Sequence, residues 1–156
     1  MLERQHVIEK AIRIENLLSI LVTQKFFPGT SINGRFLQQV MYDPHANTAF
    51  KVSVFSKCYP EFPHEDVEKI RRMFSIRNIY AHCGLELTSA VDPGKSGIID
   101  PKKLNEPLDF VALEAEFMRI EAEISEKLGQ LIASTGVEIH PRDTVAPESP
   151  PDLSHS

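Results

Sequence analysis

Two long stretches of this chain place apolar residues three and four positions apart, the spacing that gathers them on one face of an α-helix. The first covers residues 2 to 25 and ends at the helix-breaking run Phe26-Phe27-Pro28-Gly29. The second follows Asp109, a favourable N-cap residue. Its apolar stripe consists of Phe110, Leu113, Phe117, Ile120, Ile124, Leu128 and Leu131. This periodicity predicts an all-α fold with a long helix near each end.

Shorter helices are predicted between the two long ones. Residues 34–42 and 47–58 have helical patterns that are separated by Asp43-Pro44 and closed by Tyr59-Pro60. Together with a further helix from Pro63 to His82, they predict an up-and-down helical bundle of about four to five helices.

The helix after Pro63 has clear start and stop signals. Proline suits the first turn of a helix, and the carboxylates of Glu65 and Asp66 suit its positive N-terminal dipole. Gly84 is the expected stop. Residues 85–107 contain two Asp-Pro pairs and two glycines, so a long loop or an irregular hairpin is predicted before the last helix.

Composition limits the class of protein. The chain has 156 residues, of which 42% are hydrophobic and 25% charged, as in one ordinary globular domain. No apolar run approaches a membrane span, and residues 1–6 lack the apolar core of a signal peptide, so a cytoplasmic protein without membrane contact is expected. Residues 1–135 are predicted to form the helical domain, and the proline-rich residues 136–156 a disordered tail.

Arg77 is the residue that stands out in the Pro63 to His82 helix. Projection around the helix axis puts it near the middle of an apolar arc, whereas Glu68, Arg71, Arg72 and Ser75 lie opposite. The arc itself consists of Ile70, Met73, Phe74, Ile76, Tyr80 and Ala81. A guanidinium keeps its charge, so at this position it needs a carboxylate, a phosphate or a wet cleft. It can also extend to the surface along its aliphatic stem.

Glu15 is the acid that the sequence offers to Arg77. It falls inside the apolar arc of the first helix, and the two side chains are therefore predicted to face each other. The alternative places Glu15 at the edge of the arc, in water.

Asn78 and His82 are four residues apart, so on a continuous helix their side chains are neighbours. An amide beside an imidazole can fix the orientation and tautomer of the ring. A histidine near a helix C-terminus is also a common capping residue that complements the helix dipole. The functional interpretation therefore depends on Arg77, Asn78 and His82 occurring together.

The segment Arg77-Asn78-Ile79-Tyr80-Ala81-His82 resembles the R-x4-6-H motif of the HEPN superfamily, with four residues between Arg and His. The predicted order of helices, over about residues 7 to 134, is similar to the HEPN bundle. The resemblance implies a homodimer with the motifs of both subunits at one cleft and, in active members, a metal-independent endoribonuclease. His82 would then act as general acid or base, Arg77 would hold the scissile phosphate, and Asn78 would orient His82 or the phosphate.

A non-catalytic function is the alternative. Relatives similar to the mannitol operon repressor act through protein contacts, and the formal net charge of -5 suits that class. A protein partner or antitoxin would then accompany the homodimer, whereas RNA would be the partner of a ribonuclease or of an RNA-binding toxin or defence protein. No metal or other cofactor is expected, because Cys58, His64, His82 and Cys83 match no zinc spacing.

Three further side chains of this helix are candidate binding residues. Arg71 and Arg72 would lengthen the positively charged surface near the motif, on which RNA phosphates would bind. The alternative is that they belong to the solvated face of the helix, as charged residues on helices usually do. Tyr80 could stack on a base or belong to the core.

Overall fold

The computed structural model describes residues 4–82 and 109–144. These residues form five α-helices and no β-sheet, which confirms the all-α prediction. The helices are α1 (Arg4–Phe26), α2 (Gly34–Phe36), α3 (Thr48–Cys58), α4 (His64–His82) and α5 (Phe110–Thr135). The predicted loop at 85–107 and the stop at Gly84 lie outside the described residues.

Helix α1 lies in the centre of the described bundle. It packs against α3, α4 and α5. Its first half is amphipathic as predicted, with Val7, Ala11 and Ile14 buried, but every residue from Leu18 to Gln24 is buried. The hydroxyls of Ser19 and Thr23 donate hydrogen bonds of 3.1 and 2.8 Å to the carbonyls four residues earlier. These two hydroxyls are tolerated inside the core because the backbone of the helix satisfies them.

Side-chain caps fix where α3 and α5 begin. Asn47 accepts the Phe50 amide at 2.9 Å before α3, and Asp109 accepts the Ala112 amide at 3.1 Å before α5. Each cap satisfies an amide that the first turn leaves without an intrahelical partner.

Two details of the helices differ from the sequence prediction. The stretch 34–42 is a single turn of α-helix followed by a π-helical turn at Leu37–Met41, which Tyr42 closes by donating to the Leu37 carbonyl at 2.9 Å. On α5 the buried stripe ends at Ile132, and the predicted Leu131 is only partly buried. Because a straight helix has 3.6 residues per turn, a stripe that is spaced by threes and fours drifts around the helix over several turns.

Residues 136–144, which the sequence analysis assigns to the tail, contact the bundle. Gly136 has a φ of 74° and ends α5 in the left-handed conformation that glycine adopts easily. Glu138 then donates to the Thr30 carbonyl at 2.8 Å, and a 3-10 turn follows at Pro141–Thr144. The hydroxyl of Tyr42 donates to the Asp143 carbonyl. The chain therefore still contacts the bundle beyond residue 135, and residues 145–156 lie outside the described ranges.

Candidate functional site at the α3–α4 groove

The C-terminal half of α4 has the two faces that the sequence predicts. Ile70, Met73, Phe74, Ile76 and Tyr80 are buried, whereas Glu68, Arg71 and Arg72 are exposed. Arg77 lies between the buried residues and is itself partly buried.

The guanidinium of Arg77 has a neutral partner. Its Nη2 donates to the Thr48 hydroxyl at 3.0 Å, and its central carbon lies 5.6 Å from the centre of the Phe74 ring. The Nε atom is buried and has no hydrogen-bond partner. None of the ion pairs among residues 4–82 and 109–144 involves Arg77. The charge of this guanidinium is therefore not compensated by a carboxylate in the described part of the chain.

The predicted pairing of Glu15 with Arg77 is not what the structure shows. Glu15 Oε1 lies 3.1 Å from the ammonium of Lys51, whose side chain is only 7% exposed. Helix α3, which carries Lys51, packs against α1 and brings this lysine to the acid. The sequence does not reveal Lys51 as the partner of Glu15, because a helical projection assigns residues to faces but does not show which helices become neighbours.

A groove of about 470 Å³ runs between α3 and α4 beside Arg77. Helix α3 contributes Thr48, Ala49 and Val52, and helix α4 contributes Glu68, Arg71, Arg72, Phe74, Ser75 and Asn78. Three of the predicted site residues, Arg71, Arg72 and Asn78, are thus brought together with Thr48, the partner of Arg77. Thr48 was not predicted, and its position directly after Asp43-Pro44-His45-Ala46-Asn47 gives no signal of a contact with α4.

The two arginines of the groove wall are paired with acids. Arg71 contacts Glu68 one turn earlier, and Arg72 makes two hydrogen bonds to Glu116 of α5, at 2.7 and 3.1 Å. The hydrogen bond from Arg72 holds the pKa of the Glu116 carboxyl below its usual value. The positive charge on this wall is therefore partly compensated.

Tyr80 lies in the core and does not line the groove. It is 6% exposed, and its ring packs edge-on against Phe110 with 5.2 Å between the centres. Burial raises the pKa of Tyr80 to about 12. Of the two interpretations of this residue, the core position is the one observed.

His82 is the last described residue of α4, and its side chain lies outside what the structure describes. The helix is continuous from Arg77 to His82, so Asn78 and His82 are one turn apart along it. The contact between their side chains remains a prediction.

Neither a metal cluster nor a membrane span occurs in the described ranges. No three His, Cys, Asp or Glu side chains among these residues are grouped to hold a metal ion. None of the helices there is long and apolar enough to cross a membrane. Comparison with family models, curated proteins and solved structures finds no match for this chain.

Proposed function

We propose that this protein is a HEPN-like endoribonuclease that works as a homodimer in the cytoplasm, without a metal, with Arg77, Asn78 and His82 at the reacting phosphate. The observation that supports this proposal is the guanidinium of Arg77, which lies beside the α3–α4 groove and has no carboxylate partner among residues 4–82 and 109–144. Its described contacts are the Thr48 hydroxyl and the Phe74 ring, and neither carries a negative charge.

An arginine in this setting suits an anionic ligand. A partly buried charge without a counter-ion is costly, and a phosphate would both neutralise it and accept several of its hydrogen bonds. Glu15, the acid that would have satisfied Arg77 internally, is already neutralised by Lys51 at 3.1 Å.

The roles of the other site residues follow from the chemistry of RNA cleavage. Attack by the 2′-hydroxyl requires a base, an acid for the departing 5′-oxygen and positive charge at the phosphorus. His82 transfers a proton as general acid or base, and Arg77 stabilises the negative charge of the phosphate. Asn78, which is exposed on the groove wall, orients His82 or the phosphate. A twofold axis would supply the second set of groups.

The test is incubation of the purified dimer with mixed RNA in EDTA. We expect cleavage that falls about a hundredfold or more in both Arg77→Ala and His82→Ala. Arg13→Ala is the matched control, because Arg13 is exposed on α1 and lies outside the groove. Light scattering must show that each variant is still dimeric.

A regulator that acts through protein contacts is the second candidate. The pairing of Arg71 with Glu68 and of Arg72 with Glu116 favours it, because both pairs reduce the positive field that a polyanion requires. A dimeric preparation that cleaves no RNA, or an Arg77→Ala variant that cleaves as fast as the wild type, would overturn the enzymatic proposal in favour of this one.

A further inference from the structure

A second cavity, of about 310 Å³, lies where the chain after α5 meets the segment after α1. It shares no lining residue with the α3–α4 groove. Its described walls are Ser31, Ile32, Gly34, Gln38, His140 and Asp143, and these six residues include neither lysine nor arginine. A volume of this size accommodates a small organic molecule.

Asp143 is a buried carboxylate in this cavity, and it has no cationic partner among the side chains that the structure describes. The residue is 6% exposed, and its Oδ2 accepts the His140 amide at 2.8 Å. The ion pairs formed by the described side chains do not include Asp143. Because removal of an ionised carboxylate from water is costly unless a positive group compensates it, this position favours a cationic ligand.

Other polar groups of the cavity are acceptors as well. The Oε1 atom of Gln38 is buried and accepts no hydrogen bond in the structure. Ser31 adds a hydroxyl, and Ile32 adds an apolar surface. The Tyr42 hydroxyl does not satisfy the carboxylate, because it donates to the backbone carbonyl of Asp143. The cavity therefore combines one negative charge, spare acceptors and a small apolar wall.

We propose that this cavity binds a small protonated primary amine, whose ammonium group donates to the Asp143 carboxylate and whose carbon chain lies against Ile32. A bare calcium ion fits less well, since it requires six or more oxygen ligands, whereas the lining residues include a single carboxylate. This inference does not depend on the proposed ribonuclease activity.

The probe is n-butylamine hydrochloride, which is titrated into the full-length protein by calorimetry at about pH 8, where histidine is mostly neutral and an alkylamine is still protonated. A ligand of this size is expected to bind with a Kd of about 1 mM. n-Butanol has nearly the same shape without the charge and is expected to give no saturable heat.

Asp143→Asn removes the charge but keeps an oxygen that can accept the His140 amide. We expect butylammonium to bind at least about tenfold more weakly to this variant. Its unliganded melting temperature should equal or exceed that of the wild type, because an uncompensated buried charge has been removed. Asp43→Asn is the matched control, since the Asp43 carboxylate is 45% exposed and lies outside the cavity.

Several outcomes would overturn the proposal. They are the absence of saturable binding up to about 20 mM amine, equal binding of n-butanol, or unchanged affinity in Asp143→Asn. Displacement of the amine by calcium chloride would instead identify a metal site. Amide NMR spectra of the residues around His140 establish that the Asp143→Asn variant keeps the local fold.

Discussion

Lys51 is a charged residue inside the packed part of the bundle. It is 6% exposed, and its ammonium lies 3.1 Å from Glu15 and 5.6 Å from the centre of the Tyr42 ring. A buried ammonium requires such compensation, because its loss of water is otherwise not offset. The ion pair joins α1 to α3, the helix that also carries Thr48, the hydrogen-bond partner of Arg77.

A double-mutant cycle between Glu15 and the two candidate cations tests this assignment. Lys51→Met alone should destabilise the protein by about 2 kcal/mol, because it leaves the partly buried Glu15 without a cation. When Glu15→Gln is combined with Lys51→Met, most of that loss of stability should be absent. The coupling free energy between Glu15 and Lys51 should therefore be about 1 kcal/mol or more. The measurement is urea unfolding, with Arg77→Met as the second arm of the cycle.

The expected coupling between Glu15 and Arg77 is close to zero, because the two side chains form no ion pair in the structure. A larger coupling to Arg77 than to Lys51 would contradict the observed arrangement.

At the residue scale, the sequence identifies unusual positions better than it identifies partners. Helical projection finds Arg77 and Glu15 because each is a charged residue within an apolar arc. It cannot find Thr48 or Lys51, because their roles depend on which helix packs beside α4 and α1. For the same reason it leaves Tyr80 open between core and groove until the contact with Phe110 is seen.

The contact between α4 and α5 contains a network of four charged residues. Asp66 is fully buried in the first turn of α4, and both of its oxygens accept from Lys127 of α5, at 2.9 and 2.8 Å. Lys69 and Lys127 also bond Glu123, at 2.8 and 3.0 Å. These hydrogen bonds lower the pKa of the Glu123 carboxyl and raise the pKa of both lysines.

Removal of the Asp66 charge should weaken the contact between α4 and α5 and lower the free energy of unfolding. Asp66→Asn is expected to cost about 2 kcal/mol of unfolding free energy, the scale of hydrogen bonds to a charged group. Glu65→Gln is the matched control, since Glu65 is also acidic and in the first turn but is exposed. Thermal unfolding of both variants gives the comparison, and equal losses would mean that Asp66 acts only through the helix dipole.

At the element scale, local signals predicted the helix starts well. Asp109 caps α5 as expected, and α4 begins directly after Pro63. The π-helical turn at Leu37–Met41 was not predicted, because apolar spacing does not distinguish it from a short α-helix. Likewise, the burial of Ile132 in place of Leu131 is set by the neighbouring helices rather than by the stripe alone.

The segment after α5 returns to the beginning of the bundle. Glu138 forms a parallel bridge with Ser31, and the turn at Pro141–Thr144 packs against α1. Composition suggested a disordered tail from residue 136, because prolines and polar residues bury little apolar surface. The backbone of residues 30–31 and the Tyr42 hydroxyl supply hydrogen-bond partners that composition does not reveal.

Truncation of the chain tests how much this segment contributes. A chain that ends at Thr135 should be less stable than one that ends at Thr144 by about 1 kcal/mol, because hydrogen bonds gained by the segment are partly offset by its ordering. The melting temperature should differ by about 3 °C. Identical melting curves would show that residues 136–144 add no stability.

At the scale of the whole molecule, the order and type of the helices were predictable, but their arrangement was not. Both long helices have apolar faces. Nothing in their periodicity shows that other helices surround α1, whereas they cover only one face of α5. The run from Leu18 to Gln24 includes Ser19, Thr23 and Gln24, which would ordinarily indicate a solvent-facing surface.

The position of α1 has a consequence for biosynthesis. Among the described helices it leaves the ribosome first, yet α5, which packs against it, is the last of them to emerge. The nascent chain therefore exposes part of the apolar surface of α1 while more than a hundred further residues are translated. The native packing of α1 can therefore be completed only after α5 has emerged.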